Sequence, residues 1–106
     1  MELVYIAHPY TGDEEANTKR AQAIRAGMQQ EYPDKVFLTP LGIFGDKDNQ
    51  SVDYCQELGQ CLELLSRCDT VIFCDGWEES AGCRAEMAFA LQQGKKIIYE
   101  GAGYEA

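Results

Sequence analysis

The chain has 106 residues, of which 45% are hydrophobic. It is long enough for a packed core and short for more than one domain, so we treat 1–106 as a single domain. Nine Lys and Arg residues stand against eighteen Asp and Glu residues, a formal net charge of −9. Because so few cations cannot neutralise a phosphate backbone, this charge argues against binding of a nucleic-acid polymer. No apolar run approaches the length needed to span a membrane.

The cysteine pattern predicts neither a disulfide framework nor a metal site. The five cysteines are odd in number and form no CxxC pair, and His8 is the only histidine. Zinc sites need closer pairs of Cys and His ligands. We therefore expect reduced thiols in a cytoplasmic protein. The opening residues, MELVYIA, are too few and too acidic for a signal peptide.

The first forty residues predict two strands separated by a helix. Residues 3–7, LVYIA, are apolar, and the strand ends before Pro9 because proline cannot donate to a central ladder. Asp13 is a suitable cap for a helix over about residues 16–32. A second short strand, VFLT, follows at residues 36–39. This part of the chain therefore predicts one β–α–β unit.

The middle of the chain continues the alternation. Residues 40–50 are rich in Gly, Asp and Asn and form a loop, after which Ser51 can cap a helix over about residues 52–67. Residues 70–74, TVIFC, form a continuous apolar run. Such a run is typical of a strand that is covered on both faces.

The last part of the chain completes the fold prediction. A third helix runs to Gln93, with Gly94 at the position after a helix that favours glycine, and residues 95–100, KKIIYE, form the last strand. The order βαβαβαβ predicts an α/β protein with right-handed crossovers. We expect a three-layer Rossmann-like or flavodoxin-like fold around a four-stranded parallel sheet.

Ligands of such sheets bind beyond the carboxyl ends of the strands, and the segment ESAGCRAE, residues 79–86, lies at that edge. A helix start exposes amides and a positive dipole end that hold phosphate oxygens, and Gly82 lets the backbone come close to a ligand. Glu86 follows about one turn into the helix. The alternative is an ordinary helix start in which Ser80 is the cap and Glu86 has no further role. Composition and spacing leave both interpretations open.

Three segments together resemble the nucleoside 2-deoxyribosyltransferase-like superfamily: YIAHPYTG at 5–12, CD at 68–69, and GWEESAGCRAE at 76–86. Within it, the chain is similar to small, mostly uncharacterised bacterial and phage proteins grouped under a domain of unknown function, DUF4406. The similarity covers nearly the whole chain. Its most specific part is the Ser-x-Gly-x-x-x-Glu pattern after a hydrophobic strand. The resemblance implies neither a metal ion nor an organic cofactor.

The resemblance implies that Glu86 is a nucleophile, which attacks the anomeric carbon of a nucleoside sugar and forms a glycosyl–enzyme ester. Tyr5 matches the tyrosine that orients this nucleophile in relatives, although a core aromatic residue would fit the same pattern. Ser80 stands where classical transferases carry an acidic residue for the sugar 5′-hydroxyl, and relatives that hydrolyse nucleoside 5′-monophosphates also carry serine. With Ala81 and Gly82, Ser80 would form a phosphate cradle. Its hydroxyl can bind a phosphate, whereas the carboxylate of an acidic residue at this position would repel one.

One position departs from the family. Relatives usually carry an aspartate eight residues before the aspartate of the Cys-Asp pair, and counting back from Asp69 gives Cys61. A buried thiol is a poor general acid at neutral pH. Glu57, one turn earlier on the same helical face, is the alternative catalytic group. We interpret Asp69 itself as a structural turn residue.

Five further residues are candidates for contact with the substrate: His8, Tyr10, Gly12, Asn17 and Trp77. Trp77 can stack on a base or shield the edge of the sheet, and the sequence does not separate the two roles. A lone histidine such as His8 is more often a loop residue than a catalytic base. Asn17 matches an asparagine that is frequent in the DUF4406 branch.

These assignments predict an enzyme that cleaves or exchanges the N-glycosidic bond of a (deoxy)nucleoside 5′-monophosphate. Two alternatives stay open: a nucleotide-sensing module without turnover, which Cys61 favours, and a plain assembly domain of a phage or prophage. The expected partner is a small nucleotide or nucleoside. Because relatives form dimers or larger assemblies, we also expect a homodimer or a higher homo-oligomer.

Overall fold

The computed structural model describes residues 1–42 and 54–102 of the chain. Strands and helices alternate along it, as the sequence predicts. The strands are β1 (Glu2–Ala7), β2 (Lys35–Leu38), β3 (Thr70–Phe73) and β4 (Lys96–Tyr99). The helices are α1 (Glu14–Glu31), α2 (Tyr54–Ser66) and α3 (Ala81–Gln92). Short 3-10 turns, Pro40–Gly42 and Trp77–Glu79, follow β2 and β3.

The four strands form one parallel sheet in the order β2-β1-β3-β4, which confirms the predicted fold class. In the middle of β1, Tyr5 pairs with Leu38 of β2 on one side and with Val71 of β3 on the other. The chain leaves β1 toward β2 and later passes back over β1 to β3, so the winding reverses between β1 and β3. A crevice opens at such a reversal, beyond the carboxyl ends of the strands.

Helices cover both faces of the sheet and create two cores. Alternate residues of β1 enter different cores, because successive side chains of a strand point to opposite faces. Val4 and Ile6 belong to the core beneath α1, and Tyr5 and Ala7 belong to the core beneath α2 and α3. The α1 core also contains Phe37, Ile72, Cys74 and Ile98. The opposite core also contains Leu65, Cys68, Val71, Phe73, Cys83, Met87 and Ala90.

The ends of the helices follow the predicted capping residues where the structure describes them. The carboxylate of Asp13 accepts a hydrogen bond from the N–H of Ala16 at 3.3 Å, so α1 begins at Glu14 rather than at Ala16. After α3, Gly94 has a φ of +70° and its N–H bonds to the carbonyl of Leu91 at 3.1 Å. A left-handed glycine at this position satisfies carbonyl groups that the helix leaves unpaired.

Part of the prediction lies outside the described residues. This applies to the proposed cap at Ser51 and to most of the loop at 40–50, of which only the turn at 40–42 is described. Among the described cysteines, Cys61, Cys68, Cys74 and Cys83 are free thiols. None of the helices within 1–42 and 54–102 combines the length and the apolar character needed to cross a membrane.

Candidate active site

A cavity of about 800 Å³ lies at the carboxyl edge of the sheet. Its walls come from the segment after β1 and the start of α1, from the turn after β2, from α2, and from the segment after β3 and the start of α3. The lining includes most of the residues singled out in the sequence, namely His8, Tyr10, Asn17, Glu57, Cys61, Ser80, Ala81, Gly82 and Glu86. The topology of the sheet therefore brings together residues that are almost eighty positions apart.

A buried hydrogen bond joins the central strand to the cavity. Glu86, in the second turn of α3, lines the cavity although only 6% of the residue is exposed. Tyr5 is wholly buried in β1, and its hydroxyl donates a hydrogen bond to the Glu86 carboxylate. Tyr5 is therefore a core aromatic residue whose hydroxyl also reaches the Glu86 carboxylate. The ring is part of the core beneath α2 and α3, and the hydroxyl fixes the carboxylate of Glu86.

The surroundings of Glu86 change its acidity. Burial raises the pKa of Glu86 from 4.5 to about 7, and the hydrogen bonds from Tyr5 and Cys83 act in the opposite direction. Burial and the adjacent Glu86 also raise the pKa of Tyr5 well above its usual range, so the phenol keeps the proton that it donates. The site therefore holds a carboxyl group that ionises near neutral pH next to a donor that stays protonated.

The start of α3 serves both as a helix cap and as a wall of the cavity. Ser80 caps the helix, because its Oγ accepts a hydrogen bond from the N–H of Cys83 at 3.2 Å. The first intrahelical bond runs from the N–H of Arg84 to the carbonyl of Ser80 at 2.9 Å. The N–H groups of Ala81 and Gly82 therefore have no partner within the helix. Both residues line the cavity, so a pair of amides stands at the position that suits an anion.

Helix α2 forms another wall of the cavity, to which it contributes Glu57 and Cys61. The side chain of Cys61 lies within interaction range of the Tyr5 hydroxyl. Burial, with the negative charge of Glu86, raises the pKa of Cys61 to about 11, so the thiol stays protonated at neutral pH. A thiol of this acidity is a poor proton donor to a leaving group. Glu57 is thus the carboxyl group that this helix offers to the cavity.

His8 lines the cavity, but both of its ring nitrogens are engaged. Nδ1 lies 2.7 Å from the carbonyl oxygen of Pro9, and Nε2 lies 2.8 Å from a guanidinium nitrogen of Arg20. Because a guanidinium group can only donate, Nε2 accepts from Arg20 and Nδ1 carries the proton that is donated to Pro9. Neither ring nitrogen is therefore free for acid–base work.

Two of the predicted contact residues are not among those that line the cavity. Trp77 packs against Phe73 and Tyr99, with ring centroids 5.4 Å and 6.2 Å away. Of the two roles that the sequence left open for Trp77, this packing favours shielding of the sheet edge over stacking on a ligand. Gly12 is exposed and has a φ of +114°, so it serves the turn that precedes α1.

Two other polar residues hold the backbone near strand β1. The Nδ2 of Asn17 donates to the carbonyl of Tyr10 at 3.0 Å, and both residues line the cavity. The carboxylate of Asp69 accepts from the N–H of Leu3 at 2.9 Å, which fits the structural role expected for it. Asn17 therefore contributes to the shape of the cavity wall, while Asp69 joins β1 to the start of β3.

Several lining residues were not singled out as site candidates in the sequence. These are Pro9, Thr11, Pro40, Leu41, Leu58, Asp75, Gly76, Glu79 and Cys83. Five of them lie inside the segments 5–12 and 76–86 that carry the resemblance, and the signal for the others was position, because segments that follow parallel strands meet at one edge of the sheet. Within 1–42 and 54–102, no group of three or more His, Cys, Asp or Glu residues is placed to hold a metal ion.

Comparison with known families decides the relationship that the motifs suggest. A family model described as "Domain of unknown function (DUF4406)" matches residues 2–99. The chain belongs to the DUF4406 family. No curated protein matches the chain significantly.

The DUF4406 fold is also found in a solved enzyme structure. The 2-desoxiribosyltransferase from Leishmania mexicana matches 93% of this chain with a TM-score of 0.67 and 21% sequence identity. This DUF4406 chain spans 63% of the length of that enzyme. The match shows a nucleoside 2-deoxyribosyltransferase-like fold, in agreement with the resemblance seen in the motifs.

The raised pKa of Glu86 predicts a pH-dependent stability change in the variant Glu86→Gln of this DUF4406 protein. A carboxyl group whose pKa is higher in the folded state binds its proton more tightly there, so wild-type stability falls as the pH rises from 4.5 to about 7. Glutamine avoids this loss. We expect the variant to be more stable than wild type by up to about 3 kcal/mol above pH 7, and the gain to shrink as the pH falls toward 4.5.

Urea unfolding at about pH 5 and about pH 8 measures this difference. The control is Glu31→Gln, at the exposed end of α1, for which we expect no gain that grows with pH. A Glu86→Gln gain that is the same at both pH values would contradict the assignment of Glu86 as a buried carboxylate with a raised pKa.

Proposed function

We propose that the protein cleaves or transfers the N-glycosidic bond of a (deoxy)nucleoside 5′-monophosphate through a glycosyl–enzyme intermediate on Glu86. The observation that carries the proposal is the buried carboxylate of Glu86, which lines the cavity and accepts a hydrogen bond from Tyr5. A deoxyribosyltransferase-like fold supports a related glycosyl-transfer role. The nucleotide specificity and the choice between hydrolysis and transfer are part of the proposal.

The proposed reaction has two displacement steps at the anomeric carbon of the sugar. In the first, a carboxylate oxygen of Glu86 forms a bond to this carbon, and the electron pair of the C–N bond leaves with the base. In the second, water or another base attacks the same carbon, the ester bond to Glu86 breaks and releases the carboxylate, and the proton lost by the attacking molecule passes to Glu57 or to solvent. Tyr5 holds the carboxyl group of Glu86 in one orientation, because its hydroxyl is fixed in the core.

The departing base needs a proton unless it leaves as an anion. Cys61 occupies the position where relatives usually carry an aspartate, and its pKa of about 11 makes the thiol a weak donor at neutral pH. Glu57 lies on the same helix, lines the same cavity and can exchange protons with solvent or with the base. We therefore assign proton transfer to Glu57.

The phosphate of the substrate is assigned to the start of α3. The amides of Ala81 and Gly82 have no partner within the helix, and the Ser80 hydroxyl can donate its proton while its oxygen accepts from Cys83. These three donors, together with the positive end of the helix dipole, favour an anion. Serine adds no negative charge there, unlike the acidic residue of classical transferases.

A second candidate function is nucleotide binding without turnover. The weakly acidic thiol of Cys61, in the place of an expected acid, is the observation that favours it. This alternative keeps the same cavity and the same anion-binding amides. It differs from the enzyme in one measurable respect, because the bound nucleotide dissociates without cleavage of its N-glycosidic bond.

We predict that the protein releases free base from at least one nucleoside 5′-monophosphate and that Glu86→Ala lowers the rate by roughly a thousandfold or more, since the nucleophile is lost. The wild-type rate should rise with pH through about 7, because Glu86 reacts only when ionised. Chromatography of a panel of nucleosides and nucleoside monophosphates measures both effects. The matched control is Glu63→Gln on the exposed face of α2, which should leave the rate unchanged.

Each outcome of this panel points to one candidate function. No base release from any member, together with a nucleotide-dependent rise in melting temperature, would favour the binding module. Base release that persists in Glu86→Ala would remove Glu86 as the nucleophile. Transfer is separated from hydrolysis by adding a second free base and looking for the exchanged nucleotide.

Removal of the Tyr5 hydroxyl should shift the pH profile. In Tyr5→Phe the hydrogen bond that lowers the pKa of Glu86 is lost, so the rise of the rate should move to higher pH. The rate at neutral pH should fall roughly ten- to a hundredfold, because a hydrogen bond to a charged group is worth about 1.5–3 kcal/mol. Tyr99→Phe, which alters an exposed ring, is the control. A lower rate with an unshifted profile would argue against direct orientation of Glu86 by Tyr5.

A charge at position 80 should change the preferred substrate. Asp and Asn both replace Ser as helix caps, so Ser80→Asp and Ser80→Asn preserve the start of α3. We expect Ser80→Asp to lower kcat/KM for a nucleoside 5′-monophosphate relative to its nucleoside by at least roughly tenfold, because the carboxylate repels the phosphate. The ratio should stay near the wild-type value in Ser80→Asn. Equal ratios in the two variants would place the phosphate elsewhere.

A further inference from the structure

A chain of polar contacts runs behind the cavity and connects three strand ends to α1. Arg20 of α1 donates from one guanidinium nitrogen to Nε2 of His8 at 2.8 Å and from another to the Glu100 carboxylate at 2.7 Å. The second oxygen of Glu100 accepts from the N–H of Asp75 at 2.8 Å. At the other end, His8 reaches the carbonyl of Pro9 at 2.7 Å.

The two ends of this chain of contacts lie in two walls of the cavity. Pro9 follows β1 and Asp75 follows β3, and both residues line the cavity. The two walls are also close neighbours, because a Cβ placed on Gly76 would stand 3.5 Å from the Pro9 ring. Gly76 has a φ of +89°, so the turn after β3 depends on a glycine at the point of contact. The chain of contacts therefore joins two neighbouring segments that both line the cavity.

Each donor and acceptor atom in this chain of contacts has a different partner. Arginine presents donors in a fixed planar fork, which allows it to reach His8 and Glu100 at the same time. The carboxylate of Glu100 offers one oxygen to Arg20 and the other to the backbone of Asp75. Lysine or glutamine at these positions would lose part of the set, since Lys is a point donor and Gln has a single acceptor oxygen.

We propose that Arg20 and Glu100 are positioning residues, which fix the Pro9 and Asp75 walls of the cavity without touching the substrate. Neither residue lines the cavity. Arg20 acts on the first wall through His8, and Glu100 acts on the second wall through the Asp75 amide. The expected effect on substrate kinetics rests on the proposed function, whereas the expected effect on the structure of the unliganded protein does not.

The structural part is tested by amide exchange of the unliganded protein. Arg20→Ala and Glu100→Gln should each speed the exchange of the Asp75 amide, measured by NMR, by roughly tenfold, because the acceptor held at that N–H is loosened or replaced. The matched control is Arg67→Ala, which breaks the exposed pair between Arg67 and Glu63 at the end of α2 and should leave the exchange of the Asp75 amide unchanged. Glu100→Gln keeps the size of the side chain, so it separates this effect from a failure to fold. Unchanged exchange at Asp75 in both test variants would overturn the proposal.

The kinetic part is tested with the nucleotide that the wild type turns over. Loosened walls weaken binding of the substrate and of the transition state together, so KM should rise roughly tenfold in Arg20→Ala while kcat changes little. A purely structural loss would instead reduce the amount of active protein and lower kcat at constant KM. Arg20→Lys, which retains the charge and one contact, should give an intermediate KM. A fall in kcat at constant KM would contradict a positioning role.

The two proposals fail in different ways. If the wild type neither binds nor converts any nucleotide, the proposed function fails, and the exchange of the Asp75 amide still decides whether Arg20 and Glu100 fix the walls. If the wild type is active and the exchange and KM values of the variants match those of the wild type, the positioning role fails alone.

Discussion

The hydrogen bond between Tyr5 and Glu86 is the interaction on which the site depends. It places an ionisable carboxyl group in the same core that holds the sheet to α2 and α3. A buried carboxylate costs free energy unless hydrogen bonds compensate it, and here the compensation comes from Tyr5 and Cys83. Stability and the proposed chemistry are therefore in opposition at this position, because the charged form that the proposed reaction requires is also the form that burial disfavours.

The topology of the sheet explains why the other elements of the site assemble around this pair. The strand order β2-β1-β3-β4 puts the two central strands on either side of the winding reversal. Their carboxyl ends carry the two walls, and α3 brings the amides of its first turn and the Glu86 carboxylate to the same space. One short helix thus provides both amides without intrahelical partners and a buried carboxylate, about one and a half turns apart.

The sequence predicted the parts of the molecule that depend on local patterns. Strand β3 was evident because TVIFC is a continuous, mostly apolar run. The start of α3 was evident because Ser80, a residue type that favours helix caps, follows that strand closely. The contact between Tyr5 and Glu86 was expected only through the resemblance, since no local pattern links residues 81 positions apart. The same reason accounts for the omission of Arg20 and Glu100, whose side chains meet across 80 positions. Trp77 was ambiguous because an aromatic residue in a turn fits a ligand and a sheet edge equally well, and its packing on Phe73 and Tyr99 could not be derived from spacing.

The cap of α3 has a mechanical consequence for the proposed reaction. The Ser80 oxygen is bonded to the backbone of the first turn of α3, and Glu86 stands on the next turn of the same rigid rod. An anion bound at the first turn therefore contacts the same helix that carries the proposed nucleophile. Binding of the phosphate and the position of the Glu86 carboxylate are thus coupled through α3. A substrate without its phosphate would then react more slowly even when it saturates the protein, because part of its binding energy is no longer available at the anomeric carbon.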